Sequence, residues 1–185
     1  MQVEDGLAAA GTDVDEHPVV GQARSAGDVG DEVGSWILAA RLTRDLMRLT
    51  FLYARRYAPY SKWLGTAFAR LPLAQPLLPD MQAVMRAEDW RSREQHLAAL
   101  YTALAGIHNE SGITAPLSTA THSFFGRPYQ VISAERFADA ISATIAEPQL
   151  RRLAHVGAVD QFTDNVAIHS NAALAARLEP FYQPR

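Results

Sequence analysis

Between Gly34 and Pro59 the chain carries no helix breaker, and this stretch, with its flanks VGSWILAARLTRDLMRLTFLYARRYAPYSKW (33–63), constrains the fold most. Successive residues of a helix step about 100° around its axis. On that wheel Arg41, Arg44, Asp45, Arg48, Arg55 and Arg56 share one arc, while Trp36, Leu38, Ala39, Leu42, Leu46, Met47, Leu49, Phe51, Tyr53 and Ala54 cover most of the remainder. Apolar cover this wide predicts a central helix, Ser35–Ala58, with other helices packed around it. Pro59 stops it, because proline disfavours helical geometry in the residue before it. The arginine arc has two readings. It is a solvated edge in which Asp45 bridges Arg41 and Arg48, or Arg41, Arg44 and Arg48 present planar forks to a phosphate or carboxylate.

With 185 residues, 48% hydrophobic and 20% charged, the chain suits one globular domain. Its net charge of −3 gives no general pull toward nucleic acid or anionic membrane, so any anion binding must be local. No apolar run is long enough to span a bilayer. The acidic N-terminus does not read as a secretory signal. Cysteine is lacking, which excludes disulfides and thiol chemistry and fits a cytoplasmic location.

Residues 1–30 carry Glu4, Asp5, Asp13, Asp15, Glu16 and Asp28 against Arg24 and read as a flexible acidic tail before a helical domain at 31–185. Asp28, Asp31 and Ser35 are candidate caps for the long helix. Short helices are expected at 64–71 and 80–87, with Pro72, Pro76 and Pro79 between them. Asp89 should cap a second long helix from Trp90 to Glu110, closed by a left-handed Gly112. A long loop spans 111–133, with an extended scrap at 129–132. Ser133 caps a helix at 134–147, Pro148 opens one to Ala154, 157–169 forms a second ordered loop, and Ser170 caps a last helix to Glu179. The sum is an all-α, single-domain bundle of five to seven helices around the long one.

The segments VGDEVGSWILAARLTRDLMRLTFLYARRYAPYSKWLGTAFARL, LAGIHNESGIT, FFGRPYQVI and VDQFTDN resemble domain-of-unknown-function family 4037, over roughly Pro18 to Arg177. That resemblance implies a helical domain that usually lies C-terminal to a nucleotidyltransferase-like domain, and it implies no established reaction. A nucleotidyltransferase core needs a Gly-Ser turn followed by an Asp-x-Asp pair for two metal ions. Here Asp13 and Asp15 precede Gly34 and Ser35, too few residues stand upstream for the mixed sheet, and no phosphate loop ending in Lys-Ser or Lys-Thr occurs. Independent nucleotidyl transfer is not expected.

His108 and Asn109 stand where the second long helix meets its loop. The imidazole can serve as general acid or base, or cap the last carbonyls. Asn109 can orient a substrate carbonyl or bond the turn. Tyr60, Lys62 and Trp63 offer a phenol, an ammonium and an aromatic face at a forced turn, and Lys62 becomes a nucleophile only if buried. Asp160 and Asp164, four apart and followed by His169, can share a helix face as an acid–base or magnesium pair, or cap loop amides. Arg91 and His96 match the Arg-x4-His spacing of dimeric helical ribonucleases. No metal or cofactor motif is present. Three functions follow. The first is a cofactor-independent binder or acid–base enzyme for a small polar or anionic metabolite in specialised metabolism, using Arg41, Arg44 or Arg48 for the anion, His108, Lys62 and Asp160 for chemistry, and Tyr60, Trp63, Asn109 and Asp164 for orientation. The second is a non-catalytic domain docking onto a separate nucleotidyltransferase-like subunit, with self-association as another outlet for the same apolar patch. The third is a ribonuclease.

Overall fold

The computed structural model describes residues 27, 29–123, 130–153, 163, 168 and 170–183. Among them are seven α-helices: α1 (Glu32–Tyr53), α2 (Ser61–Phe68), α3 (Leu78–Arg86), α4 (Trp90–Ser111), α5 (Glu135–Thr144), α6 (Pro148–Arg151) and α7 (Ala172–Ala176). Short 3-10 turns lie at Pro72–Ala74 and Glu179–Tyr182. One small antiparallel ribbon pairs β1 (His122–Ser123) with β2 (Gln130–Val131). The domain is all-α, as its sequence pattern predicts. The N-terminal tail through residue 26 lies outside the described residues, as does nearly all of 157–169.

Helix α1 starts at Glu32 rather than Ser35, because Asp31 is its cap: the carboxylate accepts the Gly34 N–H at 2.8 Å. A Cβ at Gly34 would collide with that carboxylate, so the cap requires glycine there. The helix ends at Tyr53, well before Ala58. Arg55 turns left-handed at φ 53°, and the N–H groups of Arg55 and Arg56 reach back to the Leu52 and Phe51 carbonyls, both at 2.9 Å. This is a Schellman closure built on arginine instead of glycine, and so it is invisible to a search for glycine. It also removes Arg55 and Arg56 from the arginine arc. Ala58 and Pro59 follow outside any helix, and α2 begins at Ser61 instead of Leu64.

Helix α4 has the expected ends. Asp89 accepts the Arg91 and Ser92 N–H groups at 2.9 and 3.0 Å, and Gly112 closes it at φ 66°. Pro79 falls in the first turn of α3, which therefore starts at Leu78 rather than Asp80. Three later expectations need correction. Ser133 does not cap α5: its backbone is left-handed and its Oγ lies 3.1 Å from His122 Nε2, tying the chain to the ribbon. Helix α6 closes at Arg151, not Ala154. Asn171, not Ser170, caps α7, accepting the Ala173 and Leu174 N–H groups at 3.0 and 3.1 Å.

The packing is organised by α1 and α4, which run parallel. At their N-terminal ends Arg93, 1% exposed, donates to Glu32 at 3.2 and 3.3 Å and to Ser35 Oγ at 2.8 Å. At their C-terminal ends Tyr53 meets His108 at 3.0 Å. Helix α3 folds back along α4 as an antiparallel hairpin, with His96 Nδ1 2.8 Å from Asp80. The core between them holds Ala39, Leu42, Phe51, Leu64, Phe68, Leu71, Leu77, Met81, Val84, Leu97, Leu100 and Leu104. Helix α1 is central in that α2, α3 and α4 all contact it. Its apolar cover nevertheless exceeds the face it buries: Val33 is 73%, Ile37 65% and Leu52 66% exposed.

A left-handed non-glycine residue costs about 1 kcal/mol. Arg55→Gly should therefore stabilise the domain by about 1 kcal/mol, read as a higher urea midpoint at unchanged slope. An unchanged or lower midpoint would contradict the Schellman assignment.

Candidate functional site

Helical periodicity and the α4 C-terminus bring His108 inward, where it is 1% exposed. Its Nδ1 lies 3.0 Å from the Tyr53 hydroxyl and its Nε2 2.7 Å from Thr114 Oγ1. The Thr114 hydroxyl itself donates to the Ala115 carbonyl at 2.8 Å. Because the Thr114 hydroxyl is spent on Ala115, Nε2 carries the hydrogen that closes the contact to Thr114, and the Tyr53 hydroxyl closes the contact at Nδ1. Phe137 packs edge-to-face against the imidazole at 5.1 Å between centroids. Burial raises the Tyr53 pKa above the ordinary phenol value, which keeps the donor protonated. Both ring nitrogens are engaged in these contacts, so His108 joins α1, α4, the following loop and α5, and the proton transfer expected of it needs one of these bonds to open.

The other candidates are dispersed. Asn109 donates to the Leu117 carbonyl at 2.8 Å and accepts its N–H at 2.9 Å, so it bonds the turn. Lys62 is exposed, with its ammonium 5.2 Å from the Trp63 ring centroid, and lacks the burial a nucleophile needs. Tyr60 and Trp63 are exposed at the start of α2. Arg41 is exposed, and Arg44 and Arg48 are half-buried. Nine residues separate Arg44 from Tyr53, which is about 180° around α1. The arginine arc and His108 therefore do not share a pocket. Asp160 and Asp164 lie outside the described residues. Arg91 stacks on Trp90 at 4.4 Å whereas His96 turns to Asp80, so the ribonuclease spacing does not give a common face. Among the described residues no cluster of His, Asp and Glu could hold a metal ion, and no helix is long and apolar enough to cross a membrane.

What the helices do form is a groove of about 400 Å³ between α1 and α3, bounded by α2. Met47, Phe68, Leu78, Met81 and Met85 make its apolar walls, and Arg44, Gln82 and Arg86 supply its polar groups. Three of the chain's four methionines are here. Methionine spacing was the signal that could have found it, since Met81 and Met85 are one helical turn apart. The buried Arg93 network was equally missed, because an arginine inside a polar-looking heptad carries no mark of burial.

Residues 17–64 match the model of DUF4037, a domain of unknown function. The family resemblance therefore holds over α1 and the first half of α2, the stretch that supplies one wall of the groove and part of its α2 end. No curated protein and no solved structure matches the chain.

Tyr53→Phe should lower stability by about 1 kcal/mol at neutral pH by leaving the buried Nδ1 without its hydrogen-bond partner. The raised Tyr53 pKa also means that the unfolded chain loses this proton first as pH rises. Wild-type stability should thus fall above about pH 10, and the variant should lack that part of the fall. Thermal melts of both proteins from pH 7 to 11 check the two effects together.

Proposed function

We propose that this chain is a non-catalytic interaction domain that docks through the N-terminal half of α1 onto a separate protein, in keeping with a helical domain that accompanies a nucleotidyltransferase-like subunit. The observation that carries this is the uncovered apolar face at Val33 and Ile37, on a helix whose Phe51, near the other end, is buried against Phe68 of α2. Contiguous apolar exposure on a folded domain marks a contact surface. The occupied state of His108 and the scatter of Lys62, Asn109 and the arginines support a docking role over acid–base chemistry. A second reading, binding of a small amphiphilic anion, is favoured by Arg44 and Arg86 in the methionine-lined groove.

The test is sedimentation of the chain with a nucleotidyltransferase-like protein from its own organism. Wild type should co-sediment, and the Val33→Glu, Ile37→Glu double variant should bind at least tenfold more weakly while keeping its melting temperature, because both positions are exposed. Equal binding by the double variant would overturn the docking face.

A further inference from the structure

The exposed part of α1 and the groove are one surface. Val33, Ile37, Ala40, Arg44, Met47 and Phe51 recur at alternating spacings of four and three, the seam of a helix that faces another helix. At its C-terminal end this seam is already occupied: Phe51 is buried, with Phe68 of α2 6.4 Å away between ring centroids. In the middle, Ala40, Arg44 and Met47 line the groove. Toward the N-terminus, Val33 and Ile37 are uncovered. The orientation of α3 extends the surface in the same direction. Its last turn lies at the N-terminal end of α1, since the Ala87 carbonyl accepts from the Arg93 guanidinium that also binds Glu32 and Ser35. Arg86 thus marks the end of the groove that leads toward the open seam.

Two features identify the occupant. Methionines are unbranched and polarizable, so a wall made of Met47, Met81 and Met85 adapts to an inserted apolar side chain, as helix-binding grooves do. The exposed charges that flank the seam are Arg41 on α1 and Arg86 on α3, while Asp45 of the same arc is half-buried. A second copy laid antiparallel on the seam would set one arginine flank against the other, and a parallel copy would offer only Trp36, Thr43 and Thr50 to that flank, with no carboxylate.

We propose that the groove between α1 and α3, continued by Ile37 and Val33, takes one amphipathic helix of a partner protein, with apolar residues at four-three spacing and glutamate or aspartate along its flank. This rests on the docking function and names the chemistry of its partner segment.

The experiment uses the full chain labelled with ¹³C at its methionine methyls, each assigned by Met→Leu substitution. Two synthetic helical peptides serve as probes, with identical leucine seams and either glutamate or lysine flanks. The glutamate peptide should shift the Met47, Met81 and Met85 signals and bind at least tenfold more tightly than the lysine peptide. The double variant Arg41→Glu, Arg86→Glu should invert that preference. Gly65→Phe should weaken binding at least fivefold, because Gly65 lines the groove with open space at its Cβ, and it should not unfold α2, where glycine is a poor helix former. Equal binding of both peptides, or no methionine shift, would overturn the proposal. So would methionine shifts that follow protein concentration alone, which indicate a second copy, or shifts with decanoate but neither peptide, which indicate a small amphiphile. If the peptides fail while the Val33, Ile37 variant still abolishes subunit binding, the docking function stands and the helix-in-groove inference alone falls.

Discussion

Parallel pairing of α1 with α4, fixed at both ends by buried polar contacts, is the constraint on which the rest of the fold depends. Arg93 cannot be left in the interior without its partners, since a stranded guanidinium is strongly destabilising. Sliding α4 along α1 by one turn would separate it from Glu32 and Ser35, and the same slide would part His108 from Tyr53. The apolar residues between the two latches, Ala39 and Leu42 on one helix and Leu97, Leu100 and Leu104 on the other, supply the area but tolerate several registers. The latches select one. Glu94 extends the arrangement outward, accepting the Gln130 N–H at 2.7 Å and so holding the ribbon against α4.

The helices were legible because their signals are local. Asp89 and Gly112 bracket α4 with side-chain and backbone preferences that no tertiary contact had to supply. The errors also have local causes. Arg55 adopts a conformation that its residue type disfavours, and Ser133 spends its hydroxyl on His122 instead of on a helix end. Tertiary context overrode propensity at both positions. The polar residues were harder still. Nothing in sequence distinguishes Arg93, fully inside, from Arg91, which lies on Trp90 at the surface two residues earlier. His108 drew attention as a titratable group at a helix end, yet burial by Phe137 and bonding to Thr114 depend on residues that only the fold brings near. Breadth of apolar cover on α1 was read correctly as too much for one stripe. Its meaning was partly different: the excess is left facing outward as well as packed.

Closed polar contacts and open apolar surface thus occupy two sides of the same helix. On the Tyr53 side polar groups close on one another, and their geometry holds the loop after α4. On the Met47 side the surface is apolar, bordered by cations and open at one end. The match to DUF4037 covers α1 completely, so the part of the chain with a recognised family signature includes both the latch residue Tyr53 and the α1 wall of the groove.

Two parallel helices cannot be joined by a hairpin turn, because the chain must travel back the full length of the first before starting the second. Helix α1 has 22 residues, a length of about 33 Å. The return path has only the 8 residues of α2 and the 9 of α3 as helix, with the 3-10 turn Pro72–Ala74 between them. Neither short helix can shield all of α1. The slot between α1 and α3 is therefore a gap in the return route itself, dictated by connectivity before any side chain is chosen. Side chains decide only what fills it.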